Sequence, residues 1–157
     1  MSTIRIERVD VDLIFDSPLF DGLAHEYSKE CRVGMLGSGE PTVNKAAYRG
    51  LQGVGLMETF AAYDGEELCG FGALVKSPSL HLSLDLAIVD AVYVSPKARA
   101  RIGLQLINEM KSFARDEWKV PALVVNARIL SALDNMLLSM VRHGKAEHTY
   151  NSYMIAL

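Results

Sequence analysis

The hydrophobic positions of this chain recur with two different periods. Near the N-terminus, Ile4, Ile6 and Val9 alternate with charged residues, which is typical of a strand that buries one face. Asp64-Gly65 separates two further β-type runs, and Asp-Gly in that position is a strong signal of a hairpin. Two later runs are apolar and rich in β-branched residues, as in strands buried on both faces. The predicted strands are 3–9, 56–63, 68–76, 85–94, 122–127 and 150–156.

Helices are predicted where the apolar positions recur every three or four residues. Ser17-Pro18 is a favourable helix start, and Gly144 is a favourable helix end. Ser131, with Asp134 three residues later, is a variant of the capping box. The predicted helices are 18–31, 41–51, 102–118 and a last one from 131 to 144. The order β-α-α-β-β-β-α-β-α-β predicts one α/β domain over 1–157 with a mixed sheet.

Size and charge exclude several classes of protein. The chain has 157 residues, of which half are hydrophobic, and a net charge of −3 without a basic block, so general nucleic-acid binding is not expected. Cys31 and Cys69 form no disulfide or zinc pattern, and no histidine spacing indicates a metal. No run resembles a signal peptide or reaches the ~20 apolar residues that span a bilayer. We therefore expect a cytoplasmic protein without a membrane partner.

The stretch 92–104 carries the clearest chemical signal, because it leads from a buried strand through a short basic loop into the longest helix. A helix N-terminus presents free N–H groups and a positive partial charge, so this junction suits an anion, particularly a phosphate. Lys97, Arg99 and Arg101 add positive charge, and Gly103 lets a ligand approach the backbone. The alternative is an ordinary strand–turn–helix connection with solvated basic side chains.

The order of these features resembles the GCN5-related N-acetyltransferases (GNAT). Val94-Ser95-Pro96 followed by Arg99 is similar to their motif A, V-x-P-x-x-R. The hairpin that continues into Leu68-Cys69-Gly70-Phe71-Gly72 looks like their second and third strands, and Arg142-His143-Gly144 looks like their C-terminal motif. The resemblance covers nearly the whole chain. It implies a mixed, mostly antiparallel sheet flanked by helices, in which the fourth and fifth strands splay apart.

The resemblance also implies an activity, namely transfer of an acetyl group from acetyl-CoA to a primary amine by direct attack in a ternary complex. The pyrophosphate would bind backbone N–H groups at 99–104, and the pantetheine arm would pair with 92–94 like an added strand. A backbone N–H of Val92 or Tyr93 would polarise the thioester carbonyl. The implied acetyl-CoA-binding residues are Val92, Tyr93, Val94, Lys97, Arg99, Ala100, Arg101, Ile102, Gly103 and Leu104.

Two positions depart from the family pattern. If R/Q-x-x-G-x-G/A ends on Gly103, it requires Arg or Gln at Ala98 and Gly at Arg101; alternatively, Arg99 is the matching arginine and the loop is one residue short. The tyrosine that serves as the acid in the family falls on Met140. The acid is then absent or replaced, with Ser139, Tyr150, Tyr153 and water as the alternatives.

Asp90 is the candidate base, because it lies in the predicted strand four residues before Val94, where the family often has an acidic residue. Ile88 is six residues before Val94, and the alternation of a strand predicts the same face for both. A hydrogen-bonded structural carboxylate is the alternative interpretation of Asp90. The predicted catalytic residues are Asp90, Tyr93 and Tyr150, and the predicted acceptor-site residues are His25, Tyr27, His81 and Asp85, with Tyr48 and Arg49 as part of a lid.

Two other functions fit the sequence. One is a GNAT-fold module that binds acyl-CoA or a protein partner without catalysis, and the other is an unrelated α/β domain with a phosphate at the helix start. The acetylated amine is not identifiable from the sequence. Many relatives are dimers, so a homodimer is an expectation from the family alone.

Overall fold

The computed structural model describes residues 4–31, 42–128 and 131–148. The predicted strand 150–156, with Tyr150 and Tyr153, lies outside the described residues. None of the described helices combines the length and the apolar character needed to cross a bilayer. In chain order the elements are β1 (Ile4–Val9), α1 (Val11–Phe15), α2 (Phe20–Cys31), α3 (Lys45–Gly53), β2 (Met57–Asp64), β3 (Glu67–Ser79), β4 (Leu84–Val94), α4 (Arg99–Asp116), β5 (Leu123–Val125) and α5 (Ala132–Arg142).

The described strands form one sheet in the order β1-β2-β3-β4-β5. The first four are antiparallel to their neighbours, and β5 runs parallel to β4, so the predicted mixed, mostly antiparallel sheet is confirmed. β5 pairs with β4 only from Ala87↔Leu123 to Val89↔Val125. Because β4 continues to Val94, its second half has no strand partner on this side among the described residues, and the predicted splay is present there as a gap beyond Val89.

Helices cover both faces of the sheet. On one face, α4 buries Leu106, Ile107 and Met110 against β2, β3 and β4. On the other face, α1, α2 and α3 surround an aromatic cluster centred on Phe20 and Phe71. The fold is therefore a three-layer α/β arrangement.

Most corrections to the predicted elements concern boundaries. The helix α1 was not predicted, because its five residues are too few to show a helical period; Asp10 caps it by accepting from the Asp12 N–H at 2.9 Å. The helix predicted from 41 begins at Lys45, capped by the Asn44 side chain, and the helix predicted from 102 begins at Arg99. The strand predicted over 122–127 is limited to Leu123–Val125.

Other predictions are confirmed. Gly65 adopts φ +61° between β2 and β3, as a tight hairpin requires. Ser131 caps α5 by accepting from the Asp134 N–H at 3.1 Å, and Gly144 follows the helix with φ +66°. The prediction that the strand 85–94 is buried on both faces is wrong at Asp85 and Asp90, which are both exposed.

Candidate active site

The gap begins at a β-bulge in β4. Leu74 of β3 pairs with Val89 and Ala73 pairs with Ala91, so Asp90 is an extra residue without a partner in β3. The bulge resets the alternation of the strand. Val89 packs in the core under α4, whereas Ala91 packs in the aromatic core on the other face. The inserted residue is the one for which the sequence predicted proton transfer.

A tyrosine of α3 binds the Asp90 carboxylate. The Tyr48 hydroxyl donates to Asp90 Oδ2 at 2.5 Å, across 42 positions of sequence. Burial raises the pKa of Tyr48 above its usual value near 10, and the bond to Asp90 raises it further. The hydroxyl therefore keeps its proton at neutral pH and acts as a donor to the carboxylate.

Two residues of α2 complete what we call the Asp90 cluster, which consists of Asp90, Tyr48, Tyr27 and Cys31. The Tyr27 ring packs edge-on against Phe71 at 5.9 Å. Burial raises the pKa of the Tyr27 hydroxyl, and the Cys31 side chain and the charge of Asp90 act in the same direction. Burial also raises the pKa of the Cys31 thiol, whereas the Tyr27 side chain lowers it. The hydroxyl groups of Tyr27 and Tyr48 and the thiol of Cys31 therefore keep their protons at neutral pH.

The cluster lies next to a contact between α2 and the segment that follows β5. Arg128, three residues after the end of β5, donates to the carbonyl oxygen of Glu30 near the C-terminus of α2 at 2.9 Å. A cation at this position also suits the negative partial charge of a helix C-terminus. The segment after β5 and the end of α2 therefore meet next to Cys31.

Beyond the bulge, the backbone N–H and C=O groups of successive β4 residues point in turn to β3 and to the gap. The Ser95 N–H donates to the Cys69 carbonyl of β3 at 2.8 Å, and the Tyr93 carbonyl oxygen lies 2.8 Å from where a Cβ on Gly70 would stand. Tyr93 and Ser95 thus present their backbone groups to β3. Because successive residues of a strand point to opposite edges, the N–H and C=O groups of Val92 point into the gap.

The α4 N-terminus lies just beyond this strand end. Its first turn contains Arg99, Ala100 and Arg101, and Ala98 at the N-cap makes no side-chain capping bond. The first turn has no acidic residue either, so its N–H groups and positive partial charge suit an anion. A Cβ on Gly103 would meet nothing within 4 Å, which leaves open space beside the helix.

The other residues predicted to bind acetyl-CoA differ in the exposure of their side chains. The side chain of Ile102 is buried in the core, so this residue can contact a ligand only through its backbone. Lys97 is exposed in the turn before α4, and Leu104 is 41% exposed. The Tyr93 ring is buried against Tyr27 and Phe71, and the Tyr93 N–H faces β3. Neither group therefore faces the gap.

Three predicted acceptor-site residues are not brought to the Asp90 cluster. His81 is exposed in the turn between β3 and β4, before the N-terminal end of β4. Asp85 lies five residues before Asp90, or roughly 16 Å along an extended strand, and forms an exposed ion pair with Lys76 at 3.4 Å. His25 is exposed on α2. Tyr27 alone of the four predicted residues belongs to the cluster. Separately, the described residues contain no group of three or more His, Cys, Asp or Glu side chains that could hold a metal ion.

A separate groove of about 1100 Å³ lies between α4, β5 and α5. Its lining includes Met140, at which the family has its tyrosine, together with Leu123 and Leu137. No member of the Asp90 cluster is among the described residues that line it. The groove and the Asp90 cluster are therefore separate parts of the described structure.

Several solved structures on which the chain superposes carry the names of acetyltransferases. The chain superposes on the ribosomal-protein-alanine N-acetyltransferase from Brucella melitensis biovar Abortus 2308 with a TM-score of 0.70, at 20% identity and 99% coverage of both chains. An aminoglycoside acetyltransferase from an uncultured soil metagenomic sample gives a TM-score of 0.71, at 13% identity and 99% coverage of both. For glucosamine-6-phosphate N-acetyltransferase from Arabidopsis thaliana the TM-score is 0.68, at 9% identity and 98% coverage of both.

Comparison of the sequence with protein-family models and with curated proteins gives no match. The structural likeness over nearly the full length of each neighbour agrees with the resemblance found in the sequence. The chain therefore has the fold of the GCN5-related N-acetyltransferases.

Proposed function

We propose that the protein is an N-acetyltransferase that transfers the acetyl group of acetyl-CoA to a primary amine. One observation carries this proposal. The pairing of β4 with β5 ends at Val89, immediately before the bulged Asp90, so a carboxylate stands at the start of a gap whose β4 backbone is not paired with β5. The names of the structural neighbours support the same reaction class.

The donor would lie along the second half of β4. The amides of its pantetheine arm can pair with the N–H and C=O groups of Val92, which point into the gap, as an added strand would. Its pyrophosphate can accept from the N–H groups in the first turn of α4, and Lys97 in the preceding turn adds positive charge. Of the two residues that the sequence left open, Val92 rather than Tyr93 supplies an N–H toward the thioester carbonyl.

Proton transfer is the task of Asp90. The acceptor arrives as an ammonium ion, gives one proton to the carboxylate directly or through water, and attacks the thioester carbonyl carbon with its freed electron pair. The tetrahedral intermediate then expels the CoA sulfur as the C–S bond breaks. The nitrogen loses its second proton and the thiolate gains one through water, so that the amide and the free thiol are formed.

The proposal is tested by acetyl-CoA binding in a calorimeter. We expect Gly103→Leu to weaken binding at least about tenfold, because the new side chain fills the open space beside the first turns of α4. Gly50→Leu is the matched control, since Gly50 also lies within a helix with nothing within 4 Å of its Cβ position. Equal affinity of Gly103→Leu and wild type would contradict the placement of the donor.

Thiol release in the presence of a panel of primary amines then tests catalysis. Turnover that Asp90→Asn strongly reduces, with acetyl-CoA affinity unchanged, supports the proposed base. Binding of acetyl-CoA without thiol release for any amine supports the alternative, a non-catalytic module. The single-domain organisation over 1–157, the homodimer and the cytoplasmic location stay predictions.

A further inference from the structure

We propose that Tyr48 is a positioning residue, which holds one carboxylate oxygen of Asp90 so that the other oxygen faces the acceptor ammonium. The inference rests on the proposed function and deepens it. The sequence suggested Tyr48 only as part of a lid. The structure instead joins its hydroxyl to Asp90 Oδ2.

The carboxylate needs such a partner because of its position on the bulge. Asp90 is exposed and has no cross-strand neighbour in β3 that would restrict its side chain. A carboxylate free to change rotamer would spend part of its time away from the reacting nitrogen. The hydrogen bond from Tyr48 selects one orientation, and bonds to an ionised acceptor are the stronger ones.

The second oxygen of the Asp90 carboxylate is the one that we assign to the ligand. Within the described residues, Asp90 Oδ1 has no hydrogen bond or ion pair, whereas Oδ2 is engaged by Tyr48. An ammonium group carries protons to donate and suits this oxygen. The arrangement therefore separates two roles, since one oxygen is fixed by the protein and the other accepts the proton.

Tyr48 can position Asp90 because α3 is itself held firmly. Gln52, one turn after Tyr48, accepts from the Val11 N–H at 2.8 Å and donates to Thr59 Oγ1 at 3.1 Å. The Tyr48 ring also packs edge-on against Phe15 of α1 at 5.9 Å. These contacts tie the helix to α1 and to β2 and set the distance from its hydroxyl to the bulge.

The donor role of Tyr48 also requires a retained proton. Burial keeps its pKa above the usual range, so the hydroxyl donates throughout the neutral and mildly alkaline range in which amines are acetylated. The Asp90 carboxylate therefore keeps its partner under the conditions of the assay.

The test compares Tyr48→Phe with wild type, because the substitution removes the hydroxyl and keeps the ring on Phe15. We expect kcat to fall on the order of 10–100-fold, with the KM for acetyl-CoA unchanged, since only the orientation of the base is lost. Tyr63→Phe is the matched control. Tyr63 is a half-buried tyrosine of β2 whose ring lies under Arg5, away from the gap, and its loss of a hydroxyl should leave kcat unchanged.

A double-mutant cycle distinguishes positioning from a general structural role. In the Asp90→Asn background, Tyr48→Phe should lower the residual kcat by no more than about twofold, because the group that it positions is already gone. An equal loss of kcat in both backgrounds, or a wild-type kcat in Tyr48→Phe, would overturn the inference while the proposed function stands. Absence of thiol release by wild type with every amine would instead overturn the proposed function, and this inference with it.

Discussion

The side chain of Gln52 joins three elements, and its replacement by Leu gives a sharp test of how α3 is held. Its Oε1 accepts from the Val11 N–H at 2.8 Å, and its Nε2 donates to Thr59 Oγ1 at 3.1 Å and to the Val9 carbonyl at 3.3 Å. Val11 and Thr59 are 2% and 1% exposed, so water cannot replace the lost partner. Gln52→Leu keeps a similar volume and removes all three bonds.

The magnitude follows from what remains unpaired. The Val11 N–H becomes a buried donor without an acceptor, which costs about 1–3 kcal/mol. The Thr59 hydroxyl loses one donor but still donates to the Val9 carbonyl at 2.7 Å, so its loss is about 1 kcal/mol. The Val9 carbonyl keeps that bond and adds little. We therefore expect the free energy of unfolding to fall by about 3 kcal/mol.

Denaturation by urea, followed by circular dichroism, measures the change. At this chain length, about 3 kcal/mol corresponds to a fall in Tm of roughly 6–12 °C. Gln105→Leu on the exposed side of α4 is the control, and its effect should lie within about 0.5 kcal/mol. A loss below about 1 kcal/mol in Gln52→Leu would refute the reasoning, because it would mean that α3 is not held by this side chain.

Two further predictions concern packing and pH. Gly70→Ala should lower the free energy of unfolding by about 1–3 kcal/mol, because the new Cβ would lie 2.8 Å from the Tyr93 carbonyl oxygen. Gly50→Ala is the control in the same denaturation assay. It should raise the free energy of unfolding by up to about 1 kcal/mol, because Gly50 lies in a helix with nothing within 4 Å of its Cβ position. Above pH 10 the folded state retains protons on Tyr27 and Tyr48 that the unfolded state loses, so stability should fall by up to about 1.4 kcal/mol per pH unit for each tyrosine. The fall should be shallower in Tyr27→Phe and Tyr48→Phe, and an unchanged slope in both would contradict the burial of these hydroxyls.

Features with a strong local cause were predictable from the sequence. The hairpin at Asp64-Gly65 and the cap at Ser131 depend on a few neighbouring residues, and both are present. Boundaries were less predictable, because several residues can cap a helix equally well. The helix predicted from Pro41 begins at Lys45, since the Asn44 side chain accepts from the Ala47 N–H at 3.1 Å.

The partners of the candidate base were not predictable in the same way. Asp90 was singled out by its place before Val94, but nothing local connects it with Tyr48, 42 positions earlier. The contact between Arg128 and the Glu30 carbonyl spans 98 positions and has no sequence signal at all. Such contacts depend on how α2, α3 and the segment after β5 are arranged around the sheet, which is decided by tertiary packing.

The bulge explains why the alternation of β4 could not show which residues face the acceptor. Val89 and Ala91 are both apolar, and strict alternation would place them on one face, yet they pack on opposite faces of the sheet. The extra residue between them is the polar one, so the strand buries apolar side chains on both sides and still presents a carboxylate at its edge. A regular strand of the same residues could not do this, because with Val89 in the core under α4 strict alternation would place Tyr93 on that face and not in the aromatic core. The position of the acid in the gap and the burial of Tyr93 are therefore consequences of the same irregularity in the backbone.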